Sequence, residues 1–268
     1  MPESAFSTSL RDTLKRNPWV ISVAFAALVL ALWQWADHAA AIPPYIFGPY
    51  EIVAAFVTEL RHGDLSGQFL PSLRRALAGF AIGAGAGVVA GLLAGVSKVF
   101  RDLFEPVQAF THPIPKIALF PAVAVILGFT DQSRILIIAI SAFFPAYLNA
   151  LNGALGVDSR LFWVGRNAGA SRVRIFFQIL LPASLPRTVV GLRISLMVSF
   201  IMMVATEVVG HSNGLGAGLM EAYHQGEIEI MYAGILAVAV TGILANLALA
   251  LVTRRLLAWQ AMHRGGRT

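Results

Sequence analysis

Four stretches of this chain run twenty residues or more without a charged side chain: Asn17–Ala36, Ala76–Ser97, Ile135–Val157 and Ile230–Thr253. A helix needs about 20 mostly apolar residues to cross a bilayer, so each stretch is long enough to span. Two more qualify with interruptions: Pro106–Thr130, broken only by Lys116, and Thr188–Gly210, which holds Arg193 and Glu207. Strands of a membrane barrel would need short alternating segments, and none is present. The expected class is all-α, a polytopic membrane protein with six transmembrane helices. Composition agrees, with 57% apolar residues, 13% charged residues and a mean hydropathy of +0.72. Too little polar surface remains to cover a water-soluble domain.

The first apolar stretch has a second reading. Arg11, Lys15 and Arg16 precede it and Ala39-Ala40-Ala41 follows it, the layout of a cleavable signal peptide. Its length and the aromatic residues Trp33 and Trp35 near its end favour a retained helix. With the N-terminus inside, the inner segments carry fifteen lysines and arginines and the outer ones four, namely Arg61, Arg74, Arg75 and Arg134. Lys116 belongs to neither set. The Lys/Arg-free segment Gly210–Glu229 suits the outside, so both termini are expected inside. This distribution accounts for the net charge of +6 without a nucleic-acid partner. The layout is then an inner N-terminal segment (1–17), a first span (18–36), an outer connection (37–73), a core of five spans (74–255) and an inner tail (256–268).

Several chemistries are absent. There is no cysteine, hence no disulfide and no thiolate ligand. No phosphate-binding G-x-x-x-x-G-K-[ST] loop, H-E-x-x-H pair or G-x-S-x-G elbow occurs. The histidines His38, His62, His112, His211, His224 and His263 are scattered, so no metal site is expected. Glu207 is the single acid within a span, too few for an intramembrane proton relay. These absences argue against a membrane enzyme and give little support to a secondary transporter.

Other residues carry positive information. Gly79, Gly83, Gly87, Gly91 and Gly95 recur every four residues along the second span. This places them on one helix face, where two backbones can approach closely; the alternatives are packing within the subunit and a stripe at a subunit interface or beside the pathway. Pro106, Pro113, Pro115 and Pro121 should break the third span. Lys116 sits among them, either snorkelling to the interface or meeting an anionic solute. Glu207, 14 residues past Arg193, cannot pair with it along a helix and is either a structural acceptor or part of an outer gate.

The inner segment 158–187 mixes arginines with large apolar residues. Asp158-Ser159 should cap a helix from Arg160 to about Ala168, Gly169 should turn the chain, and Ser171 should cap a second helix over Arg172–Leu180. Pro182 and Pro186 are expected to stop that helix. Phe162 and Trp163 at the tip would be costly as free surface, which suggests a docking knob for a partner.

This segment resembles the cytoplasmic loop of ABC importer permeases, with its pattern E-A-A, three residues, Gly, nine residues, I-x-L-P. Gly169 is followed at that spacing by Ile179, Leu181 and Pro182, while Trp163, Val164 and Gly165 occupy the E-A-A positions. Thr111–Pro121, Ser72-Leu73-Arg74-Arg75, Leu185-Pro186, Ala205-Thr206-Glu207 and Arg254–Trp259 are similar to the nitrate/sulfonate/taurine/bicarbonate branch of that family. The resemblance implies a type I importer permease fold in a bacterial inner membrane and a non-catalytic subunit. A second copy would complete the pathway. Two ATP-binding subunits, which hold the ATP and magnesium, would seat Arg160, Leu161, Phe162, Trp163, Val164, Gly165, Arg166, Asn167, Ala168 and Gly169. A solute-binding protein would deliver a small anion or zwitterion, with Lys116 and Glu207 as pathway candidates.

Overall fold

In the computed structural model the described residues are 18–111, 113–210 and 213–257. The inner residues Arg11, Lys15, Arg16, Arg264 and Arg267, together with His112, His211 and His263, lie outside them. All regular elements described are helical. They are α1 (Pro18–His38), α2 (Pro49–His62), α3 (Leu65–Val96), α4 (Lys98–Thr111), α5 (Phe120–Leu127), α6 (Asp131–Leu155), α7 (Ser159–Asn167), α8 (Arg172–Ile175), α9 (Leu181–Gly210), α10 (Leu215–Gln225) and α11 (Ile228–Leu256). Five are long and apolar enough to cross a membrane, and a sixth span results if the bent pair around Lys116 is counted as one. This is the all-helical, multi-pass architecture expected.

The core is the trio α3, α6 and α9. The glycine stripe on α3 explains the tightness of its packing on α6. A Cβ at Gly83, Gly87 or Gly91 would overlap the carbonyl oxygens of Ala139, Phe143 and Tyr147, and one at Gly95 would overlap the Ala154 methyl. Without side chains the two backbones come into contact, which in lipid replaces the missing hydrophobic drive between helices. On α9, Ser195 Oγ donates to the Ala142 carbonyl of α6 at 2.7 Å. The α1 span buries none of its residues within this chain.

Several boundaries differ from expectation. The second span begins at Leu65 rather than near Ala76, and its 32 residues make a helix about 48 Å long, well beyond the hydrocarbon thickness. The outer connection contains α2, packed against α11. The third span is bent by 86° between α4 and the segment Lys116–Leu127, which opens with a short 3-10 turn, Lys116–Leu119. The proline expectation therefore holds at Pro113 and Pro115, which lie at the bend, but not at Pro106, which sits inside α4. It also fails at Pro182 and Pro186. These residues do not stop the helix, which continues from Arg172 to Gly210. A π-helical turn at Phe176–Leu180 lies just ahead of Pro182. Its wider winding accommodates a residue with no N–H and a ring that collides with the preceding turn of an α-helix.

Candidate functional site

The loop over residues 158–187 folds as a capped elbow. The Asp158 carboxylate accepts from the Arg160 N–H at 2.9 Å and opens α7. Gly169 closes it with φ +74°, a left-handed conformation that glycine tolerates best, and the Gly169 N–H reaches the Arg166 carbonyl at 2.9 Å. Ser171 Oγ then accepts from the Arg174 N–H at 3.3 Å and starts α8. Gly165 is buried, and a Cβ there would lie 2.8 Å from Ile179 Cδ1. Leu181 packs on the cluster of Leu92, Ala150, Ala154 and Leu180. The spacing from Gly169 to Ile179-Leu180-Leu181 thus closes α7 onto the span that follows.

The two aromatic residues of the expected knob part company. Phe162 turns inward onto the Leu92–Leu180 cluster, so it is not free surface. Trp163 and Val164 point outward, 64% and 66% exposed, beside exposed Leu161. Arg160, Arg166, Asn167 and Ala168 are also exposed.

At the break in the third span, Lys116 Nζ donates to the Thr111 carbonyl at 2.7 Å, a group released by the end of α4. It also lies 5.2 Å above the centre of the Phe144 ring on α6. Phe120, just beyond, is fully buried against Ala124 and Ile137.

A polar knot at the other end of the core was not visible in the sequence. Glu207 is fully buried. Its carboxylate accepts from Arg75 Nη1 at 2.7 Å, from Ser72 Oγ at 2.8 Å and from the Gly216 N–H at 3.0 Å. Arg75, also buried, spends its remaining donors on Asp131 at 2.7 Å and on the carbonyl and side chain of Asn213 at 2.5 and 2.7 Å. Ser72 Oγ accepts from the Leu215 N–H at 2.8 Å. Arg134 adds a bond to the Gly210 carbonyl at 3.2 Å. Two arginines and two carboxylates therefore cancel, and α3, α6, α9 and the start of α10 are joined at one point. Gly214 has φ +148° and leaves room for the carboxylate, because a Cβ there would sit 2.6 Å from it. The partner of Glu207 is thus Arg75, not a residue of its own helix. The available signal was a pair of opposite charges, Arg75 and Glu207, each beside an apolar run on the same expected side of the membrane.

One group of potential ligand atoms converges in space. Ligand atoms of Asp37, His38 and Glu51 lie within 4.8 Å of one another, the single such group among the described residues. The Glu51 carboxyl is held below the usual carboxylate range by the backbone N–H at the start of α2 and by Gln34. Gln34 donates to Glu51 at 3.2 Å and accepts from the Tyr50 N–H at 2.8 Å, so the group clasps α1 to α2.

Residues 87–258 match the profile of the binding-protein-dependent transport system inner membrane component family. The chain is 34% identical over 252 residues to SsuC of Bacillus subtilis (strain 168), named as an aliphatic sulfonates transport permease, with 94% of this chain and 91% of that one covered. It is 29% identical to NrtB, a nitrate import permease of Synechocystis sp. (strain PCC 6803 / Kazusa), covering 90% and 93%. In three dimensions it resembles a chain of the inward-facing MetNI methionine ABC transporter, with a TM-score of 0.55, 21% identity, and 77% of this chain and 93% of that one covered.

Proposed function

The chain belongs to the binding-protein-dependent transport system inner membrane component family, and from that premise we propose that it pairs with a second copy of itself to form the pathway of an ATP-driven importer. It is a multi-pass transport component. Both termini lie on the cytoplasmic side of a bacterial inner membrane, a reading supported by the fifteen-to-four partition of lysine and arginine. The transported solute is a small anion or zwitterion of the sulfonate, taurine, nitrate or bicarbonate class. The aliphatic-sulfonate relative, which aligns over nearly the whole chain, supports the sulfonate end of that range.

The single observation that carries the reading is the capped elbow. It presents Trp163 and Val164 outward on a short rigid helix, anchored by Phe162 and Gly165 to the cluster around Leu180 and to Ile175 and Ile179, just ahead of α9. Such a knob transmits displacement from a partner to a span as a rigid element. Two ATP-binding subunits, which hold the nucleotide and magnesium, each receive one knob, and a solute-binding protein docks on the opposite face near α10. ATP-driven approach of the partners swings the α7–α9 levers and opens the spans outward, and hydrolysis returns them. Lys116 beside the break and Glu207 beneath the outer turn are the pathway and gate residues of this scheme.

Deleting residues 162–169 should abolish co-purification of the ATP-binding subunit while leaving membrane insertion intact. Full recovery of that subunit by the deleted chain would refute the assignment. Uptake into proteoliposomes should require both the partner subunits and ATP, and uptake by this chain alone would identify a secondary transporter instead.

A further inference from the structure

We propose that the cavity behind α7 binds an amphiphilic oxyanion, a molecule with a phosphate- or sulfonate-type head and an aliphatic tail. The cavity, about 630 Å³, lies where the ends of α3 and α6 meet α7 and α8, and it is lined by both apolar and cationic side chains. Phe162, Ile175, Phe176 and Leu180 form an apolar wall, while Arg166 and Arg172 reach it from two different helices. No acidic side chain lines it. Neither guanidinium makes a side-chain hydrogen bond or ion pair among the described residues, in contrast to Arg75, Arg134, Arg174 and Arg187.

The chemistry selects the ligand. Two unpaired guanidinium groups beside the Ser159 hydroxyl offer planar donor forks to a tetrahedral oxyanion. A bare inorganic anion would leave the phenylalanine wall in water, whereas an alkyl tail covers it. The volume falls within the range of small-molecule sites. Basic pockets between spans at the inner membrane surface are suited to lipid headgroups. An anionic phospholipid and a free alkylsulfonate share this chemistry. The site requires neither ATP nor a partner subunit, so its test stands apart from the docking assignment.

The test uses the full chain alone in detergent. Native mass spectrometry follows retention of phosphatidylglycerol against phosphatidylcholine, and thermal shift follows octanesulfonate against inorganic sulfate. Arg166→Gln with Arg172→Gln should lower affinity for the bound species about tenfold. Arg174→Gln, on an arginine outside the cavity, should not. Val96→Trp, which fills the cavity and keeps both arginines, should abolish binding too and controls for surface charge. Loss of phosphatidylglycerol adducts in the double variant would identify lipid, and loss of octanesulfonate stabilisation would identify the free solute. Either result supports the proposal. Unchanged binding in both variants, or inorganic sulfate acting as well as octanesulfonate, would overturn it.

Discussion

Arg75 sits in a position with almost no access to water, and every donor on its guanidinium has an acceptor. A buried ion pair of this kind contributes little net stability, yet removing one member leaves an uncompensated charge. Glu207→Gln should therefore destabilise the chain by about 3 kcal/mol, near the low end for a broken buried pair because Asp131 still faces Arg75. The measurement is thermal unfolding in detergent. Adding Arg75→Gln to Glu207→Gln should cost less than the two single changes together, the signature of coupled residues. Glu207 was conspicuous in the sequence as the lone acid of a span, but its partners Ser72 and Arg75 lie 135 and 132 residues away. No local pattern links residues so distant. Lys116→Ala should reduce solute uptake more than it reduces yield or assembly. Wild-type uptake would leave Lys116 with a structural role at the break, on the Thr111 carbonyl and the Phe144 ring.

Among the elements, the α3–α6 contact depends on what is missing from its side chains. Gly87→Leu would drive four carbon atoms toward the Phe143 carbonyl and the Ala146 methyl. Because the obstacle includes backbone, the cost should reach about 3 kcal/mol or more, at or above the upper range for overpacking. An unchanged unfolding temperature in detergent would mean that the helices separate at that face without penalty. The elbow has a milder sensitivity. Gly169→Val would place a β-branched residue at φ +74°, at a cost of roughly 1–2 kcal/mol, and should weaken ATP-binding-subunit capture without unfolding the spans. The four-residue spacing of the glycines was legible, since helical periodicity is local. That the stripe faces α6 was not, because it depends on which helix lies opposite. The π turn before Pro182 was equally hidden, because the winding around a proline depends on what the neighbouring turns pack against.

For the molecule as a whole, the unburied first span and the outward Trp163 leave surfaces that a single copy in water could not sustain. On the proposed reading, lipid or a second copy covers the first and an ATP-binding subunit covers the second. Trp163→Ala should weaken that subunit's affinity by about 2 kcal/mol, roughly thirtyfold, as expected for an aromatic anchor at the centre of a contact; titration of the purified subunit onto reconstituted permease measures it. The sequence alone determined the membrane class, the apolar runs and the place of the capped loop. Each of these is a sum or a spacing along a short stretch of chain, set by transfer of side chains into hydrocarbon and by backbone caps. Only the tertiary structure decided that Arg75 meets Glu207, that Phe162 turns inward while Trp163 stays out, that Asp37, His38 and Glu51 converge, and that two arginines line one cavity. Those outcomes follow from how helices cross and bend, and that geometry is fixed by contacts between residues far apart in the chain.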